Sequence, residues 1–254
     1  MHLPGDLVRR TFIVRAGHGS IALAALTVAR FGPTAFSAGP DADIAEGSGG
    51  GGSDRSGSSP VEWHRADLGY VSAYVLVRGG EAAIVDTGVE DSEGTIEAAL
   101  TTAGLGWGAV GHVILTHRHG DHVGSLDAVL AKAPDATAYA GAADIPKIAS
   151  PRTLRAVGDG DRVFDLRIVA TPGHTLGHIV AFDKAGGLLV AGDALRTVGG
   201  TLAGSIPAYT EDEAQAKATV AKLGALRFET LLVGHGDPIL SGASAQVAAL
   251  AAAG

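Results

Sequence analysis

Apolar residues along this chain fall in short runs that stop at small or polar residues. Tyr70 to Val77 is rich in β-branched and aromatic residues and is followed by Gly79-Gly80, which predicts a strand and a turn. Ala82 to Val85 predicts a second short strand, stopping at Asp86-Thr87-Gly88. Ile96, Leu100 and Ala103 recur at helical spacing between Asp91-Ser92 and Gly104, which predicts a helix. Gly111 to Leu115 reads as a buried strand, and Val123 to Ala133 as a helix that Pro134 ends. Thr137 to Ala140 is a short strand, with a small helix near Ala142 to Ile148 and a turn-rich stretch from Arg152 to Val163. Phe164 to Ala170 is another strand, and His178 to Phe182 pairs with Leu188 to Ala191 around Ala185-Gly186-Gly187. Thr210-Glu211-Asp212-Glu213 has the capping-box form, opening a helix to about Leu223. Thr230 to Val233 is a last buried strand, and Ser241 to Ala252 an Ala-rich closing helix. Strands and helices that interleave in this way predict an α/β domain.

The pattern changes before Val61. Glu46 to Pro60 is Gly/Ser-rich, with Gly49 to Gly52 in a row, and reads as a flexible linker over 46–60. Residues 1–45 hold Arg9-Arg10-Thr11-Phe12-Ile13, an apolar run from Ile21 to Ala29 and a small-x-small site at Ala35-Phe36-Ser37. That combination resembles a twin-arginine export signal, so the expectation is an exported domain spanning 61–254. Without a working signal the protein would stay in the cytoplasm.

Composition narrows the chemistry. Hydrophobic residues make up 46% of the chain, enough for a sizeable core. The formal charge is −8 and no basic run occurs, which argues against a nucleic-acid partner. No apolar span reaches about 18 residues, so no stable membrane insertion is expected. Cysteine is absent, which excludes disulfides and thiolate metal sites. A metal site must then use His and carboxylate, which suits zinc, iron or manganese.

The candidate ligands each follow a predicted strand. His117, His119, Asp121 and His122 come after Leu115, His174 after Ala170, Asp193 after Ala191 and His235 after Val233. Strand ends are fixed by a sheet, and the loops after them can turn distant side chains into one pocket. In an extended segment, side chains at i and i+2 point the same way, so His117 and His119 can share one metal. Asp121 and His122 follow Gly120, where the chain can turn, and can serve a second metal nearby. His2, His18, His64 and His112 belong to no such cluster.

The blocks His117-Arg118-His119-Gly120-Asp121-His122, Thr171-Pro172-Gly173-His174-Thr175-Leu176-Gly177-His178, Gly192-Asp193 and Gly234-His235-Gly236 resemble, in content and order, the metallo-β-lactamase-fold hydrolase superfamily. The resemblance runs from about Val61 to the C-terminus. It implies a four-layer αββα sandwich with the metal site at one edge. It implies two divalent ions, zinc first, with iron or manganese as alternatives. His117, His119 and His174 would hold one, and Asp121, His122 and His235 the other. Asp193 would bridge them together with a hydroxide that attacks a carbonyl carbon. His178 sits where a strand begins and reads as structural. Asp86, at a strand end, reads as a support behind the ligands. Gly192 and Gly234 are expected to allow close packing beside them. Asp121 is a candidate for handling a proton, and Tyr209 for lining the substrate pocket.

Within the superfamily, lactam-cleaving enzymes usually carry Cys or Ser where Asp193 stands, so the Asp favours glyoxalase II-like and lactonase-like branches. Glyoxalase II adds a helical region that grips glutathione, and about 19 residues follow His235 here. The expectation is therefore a dinuclear metal-dependent hydrolase of a small ester, thioester or lactone. The alternatives are a mononuclear iron, persulfide dioxygenase-like oxidoreductase, a β-lactamase-type amide hydrolase, and a metal-binding protein without catalysis.

Overall fold

A computed structural model describes residues 59–254. The export signal expected over 1–45, His2 and His18 within it, and all but the last two residues of the linker expected over 46–60 lie outside the described residues. A first sheet holds β1 (Glu62–Asp67), β2 (Ser72–Arg78), β3 (Glu81–Val85), β4 (Val110–Ile114), β5 (Thr137–Gly141) and β6 (Arg155–Val157) in that spatial order. The first three strands meander, and β3 to β6 run parallel. The second sheet is built from β7 (Arg162–Val163), β8 (Leu166–Ala170), β9 (Ile179–Asp183) and β10 (Leu188–Val190). A separate hairpin, β11 (Leu195–Val198) and β12 (Thr201–Gly204), follows. The last strand, β13 (Thr230–Leu232), joins the second sheet beside β10 in parallel. No described helix is long and apolar enough to cross a membrane.

Period-2 alternation within the strands produces the layers. In β2, Ala73 and Val75 face α1 (Glu93–Thr102) and α3 (Leu126–Lys132), meeting Ile96, Leu100, Val129 and Leu130. Tyr74 and Leu76 point the other way, into a layer shared with Ile168, Ile179, Val190 and Leu232 of the second sheet. The alternate residues of that sheet, Val180, Phe182, Leu189 and Leu231, meet Val220 and Leu223 of α4 (Glu213–Gly224) and Val247 of α5 (Ala243–Ala253). Three apolar layers between helix, sheet, sheet and helix make an αββα sandwich. Each Leu, Ile or Val fully buried in it contributes about 1.5–3 kcal/mol.

Several local expectations are corrected. The helix expected over Val123 to Ala133 is two pieces, α2 (Gly120–Val123) and α3. A Cβ on Gly124 would lie 2.6 Å from the Glu90 amide nitrogen and 2.7 Å from the Val89 carbonyl carbon, so the chain passes hard against that loop. Ser125 then spends its hydroxyl on the loop, donating to the Val89 carbonyl and accepting the Ser92 amide at 2.7 Å. The turn-rich stretch from Arg152 to Val163 carries β6 and β7, strands too short for period-2 alternation to register. The hairpin β11–β12 carried no prediction. The cap of α4 is Asp212 rather than Thr210, and its carboxylate accepts the Gln215 amide at 2.9 Å.

Candidate metal centre

Ligand-bearing loops leave one edge of both sheets. The His117–His122 segment follows β4, His174 follows β8, Asp193 follows β10 and His235 follows β13. Backbone bonds stitch the two sheets together along this edge. Ile179 donates its amide to the Thr116 carbonyl at 2.9 Å, Ser72 to Gly234 at 2.9 Å, and the Tyr74 hydroxyl to the Val233 carbonyl at 2.8 Å. The backbone is extended through His119 and then turns helical at Gly120. His117 and His119 therefore project together, while Asp121 and His122 are swung round to a neighbouring position.

All seven expected ligand residues converge. Nε2 of His117 approaches Nδ1 of His119 at 3.1 Å, and Nε2 of His174 approaches the same atom at 2.9 Å. Asp121, His122 and His235 form a second group able to hold one ion, and His117, His122 and Asp193 a third that overlaps both. Asp193 sits between them. Its Oδ2 lies 3.4 Å from His174 Nε2 and 3.2 Å from His235 Nε2, and its Oδ1 lies 3.2 Å from His122 Nε2. His235 Nε2 is also 3.4 Å from Asp121 Oδ2.

The far side of each ring fixes which nitrogen faces inward. His122 donates from Nδ1 to Asp86 Oδ2 at 2.8 Å, and His235 from Nδ1 to the Tyr70 carbonyl at 2.7 Å. Asp86 also accepts the Thr116 amide at 2.7 Å and the Thr116 hydroxyl at 2.8 Å. With its proton given to Asp86, the Thr116 oxygen is left to accept from His117 Nδ1 at 3.0 Å. One buried carboxylate thus orients His122 directly and His117 through Thr116. These bonds also hold Asp86 in its left-handed backbone conformation, φ 60°. His178 accepts the Asp193 amide at Nε2 (3.2 Å), so its Nδ1 carries the proton and donates to the Thr171 hydroxyl at 2.7 Å. It supports Asp193 from behind, in line with its structural reading. His112 lies outside the cluster, with Nδ1 3.3 Å from the Tyr139 hydroxyl.

Electrostatics divide the cluster. Burial, then the charge on His122, holds His117 well below the usual histidine pKa. Burial lowers His174 to about 4 and, with His174 beside it, His178 to about 3. His119 is lowered by burial and then by Arg118. His122 goes the other way. Burial opposes its charge, but Asp193 and Asp86 outweigh burial and hold its pKa well above the usual value. Asp193 also works against burial, and His122 and His235 keep it well below the usual carboxylate range. His235 is raised by its contact with Asp193.

The donor set fits divalent cations on its own geometry. Ring nitrogens of five histidines and two carboxylates are aimed at shared points. His122 Nε2 and Asp193 Oδ1 are buried with no hydrogen-bond partner, although only 3.2 Å separates them. Groups crowded in this way need positive charge between them, which a proton on His122 supplies in the metal-free protein and a divalent cation would supply in its place. Gly192 and Gly234 make the crowding possible, as expected. A Cβ on Gly192 would lie 2.6 Å from Thr116 Oγ1, and one on Gly234 would collide with Asp193 Oδ1 and lie 2.7 Å from His122 Cε1.

Two residues that the sequence did not single out belong to the support. Asp144 is fully buried, and it accepts the Arg118 amide (3.1 Å), the Thr175 hydroxyl (2.6 Å) and the Gly177 amide (3.0 Å). It ties the His117–His119 loop to the loop that carries His174. Glu211 repeats the tie further out, accepting from Arg118, from Lys147 Nζ at 3.2 Å and from the Leu176 amide at 2.8 Å. Neither lies in a ligand block, so nothing local marks them. A cleft of about 340 Å³ opens over the cluster, lined by five of its residues together with Tyr70, Ile206 and Tyr209. Tyr209 stands at this cleft, and so does Tyr70, which the sequence did not single out.

Comparison with known proteins agrees with this geometry. The family model described as the metallo-beta-lactamase superfamily matches residues 66–235. The hydroxyacylglutathione hydrolase of Acidiphilium cryptum is 35% identical over 173 residues, 64% of this chain and 63% of that one. The chain thus spans less than two thirds of that relative's length. The metallo-beta-lactamase family protein TTHA1429 of Thermus thermophilus superposes with a TM-score of 0.61 at 23% identity, covering 76% of this chain and 78% of that one. TTHA1623, solved in a di-iron-bound form, gives 0.57 at 26% identity over 70% of this chain and 93% of that one.

Proposed function

The chain belongs to the metallo-β-lactamase superfamily, and on that footing we propose that it is a dinuclear metal-dependent hydrolase of a small ester, thioester or lactone. The observation that carries the reading is the position of Asp193, within 3.4 Å of inward-facing nitrogens from His122, His174 and His235. A carboxylate so placed is built to be shared between two ions. His117, His119 and His174 would hold one ion, and Asp121, His122 and His235 the other, with zinc the first choice and iron the alternative. When bound, such ions supply an ionised water at neutral pH and polarise the carbonyl to be attacked.

The chain's own residues do the rest. Asp86 and Thr116 keep His117 and His122 in the tautomer that presents Nε2. His178 holds the Asp193 backbone. Asp121 is the more exposed of the two carboxylates in the cluster and lines the cleft, so it can take up or release a proton at the substrate. The named activity of the Acidiphilium relative, a thioester hydrolysis, supports the reaction class.

Metal analysis together with a panel of ester, thioester and lactone substrates tests the reading. Two metal equivalents and turnover on the panel are expected, and Asp193→Ala should lose both together. Full activity of that variant at normal metal content would remove the shared role of Asp193. We further propose, from Arg9-Arg10 and the apolar run after it, that the protein is exported. Replacing both arginines with lysine should then hold it inside the cell, and unchanged export would discard the signal.

A further inference from the structure

The residues around the cleft are uneven in character. Among the described residues, those lining it include no lysine or arginine. Arg118, which lies between His117 and His119, is already engaged. Arg118 and Lys147 both bond Glu211, and Arg118 also lies 3.9 Å from the buried Asp144. Arg65 is likewise bound, to Asp237, to Ser72 Oγ and to the carbonyl of Gly236 next to His235. The chain as a whole carries −8.

The apolar part of the lining is large and open to solvent. Tyr70 is 62% exposed and Tyr209 66%. Backbone bonds hold both, and the Tyr70 ring also stacks on His235. The Tyr70 carbonyl accepts from His235, and its ring lies nearly parallel to the imidazole, at 15° with centroids 6.0 Å apart. Tyr209 ends a short helical turn that begins at Pro207, with its amide donated to the Ile206 carbonyl at 3.0 Å. Leu176, next but one to His174, is 51% exposed. Exposed aromatic faces fixed beside a reaction centre gain by covering a flat apolar group, since stacking adds to the area removed from water.

We propose that this cleft selects uncharged, apolar substrates, with a planar or aromatic group lying against Tyr70 and Tyr209, and disfavours anionic thioesters such as those of glutathione. The proposal rests on the hydrolase reading for its turnover test. A glutathione conjugate brings two carboxylates, and apart from the proposed metal ions, which the thioester carbonyl would engage, the described lining offers no lysine or arginine to meet them. A neutral aryl ester or thioester has no such cost and places its apolar surface against the two rings.

Two thioesters that share an acetyl group and an alkyl thiol leaving group separate the alternatives on the metal-loaded protein, S-benzyl thioacetate and S-acetylglutathione. The neutral one is expected to have a kcat/KM at least tenfold higher. Tyr70→Ala and Tyr209→Ala should each raise its KM several-fold while leaving kcat within about twofold, which a general loss of folding would not do. Equal or better turnover of S-acetylglutathione would overturn the proposal and leave the hydrolase reading intact, as would tyrosine variants with an unchanged KM. If neither compound is turned over, the hydrolase reading fails, and binding still decides the selectivity. Calorimetry with the neutral ketone 4-phenylbutan-2-one and with S-methylglutathione should then show tighter binding of the ketone, weakened by Tyr70→Ala. Tighter binding of the glutathione derivative would overturn the proposal.

Discussion

At the scale of single residues, the centre is governed by which nitrogen of each histidine is free, and buried acceptors decide that. Asp86 sets His117 and His122, and the Tyr70 carbonyl sets His235. Asp144 acts one step further out, on the backbone between His117 and His119 and on the loop after His174. Asp144→Asn should therefore weaken the His117–His119–His174 site by about 10–100-fold, the usual effect of losing an outer support. Placing it in an His235→Ala background, which keeps that trio, and in an His174→Ala background, which does not, makes the test selective. Chelator competition should record the loss only in the first. Equal losses in both would mean that Asp144 serves folding in general. Protonation gives a second prediction. His117, His119 and His174 are held below the ordinary histidine value and are neutral at pH 7, so metal displaces no proton from them. His122 is held well above the ordinary value and His235 is raised, so protons are held more firmly on this pair in the metal-free protein and an entering ion must expel them. Uptake of one ion should thus release protons and tighten as pH rises from 6 to 8. Calorimetry in buffers of different ionisation enthalpy measures this, and two uptake events without proton release would sink the idea.

At the scale of elements, the candidate ligands sit on the segments that follow strands, two of them in the short α2, and ion pairs fasten those segments. Glu211, just before α4, reaches Arg118 between two ligands and the Leu176 amide beside a third. Burial opposes its charge, but Arg118, the Leu176 amide and Lys147 bring its pKa down to about 2 from the ordinary 4.5. A carboxylate lowered on folding adds stability that is fully present above about 4.5 and is lost as pH falls towards 2. Parent protein should lose stability faster than Glu211→Gln over that window in denaturant titrations, and parallel curves would show the tie to be slack. The elements themselves were unevenly legible. β2, β3, α1, β4, β8 and β13 were readable because a continuous apolar run or helical spacing covered the element. The break between α2 and α3 was not, because Gly124 and Ser125 answer to the Val89–Glu90 loop, a tertiary neighbour. β11 and β12 were missed because β11 buries Leu195 and the polar Thr197 while exposing Val198, and β12 buries no residue fully, so no apolar alternation forms.

At the scale of the molecule, the two sheets meet at the edge where the metals would sit, and residues from both contribute. His117, His119, Asp121 and His122 follow a strand of the first sheet, and His174, Asp193 and His235 follow strands of the second. Ions bound there would cross-link the two halves of the core. Removing metal with a chelator should lower Tm by several degrees and zinc should restore it, since a ligand that binds only the folded state stabilises it by mass action. A Tm indifferent to metal would mean that the edge is held by the backbone bonds alone.

The sequence by itself brought out the candidate metal-binding residues and, through its resemblance to a family, the α/β fold, because His and Asp follow apolar runs in a recognisable order. Tertiary structure alone decided how those ligands are aimed. Asp144 and Glu211 carry no local signal, since a carboxylate that accepts backbone amides from loops far along the chain looks like any other Asp or Glu. Tyr70 reads as an ordinary strand residue until its carbonyl meets His235 and its ring is left facing the cleft. Coordination is written in neighbours along the chain, whereas orientation and selectivity depend on neighbours in space that only the packed sheets bring together.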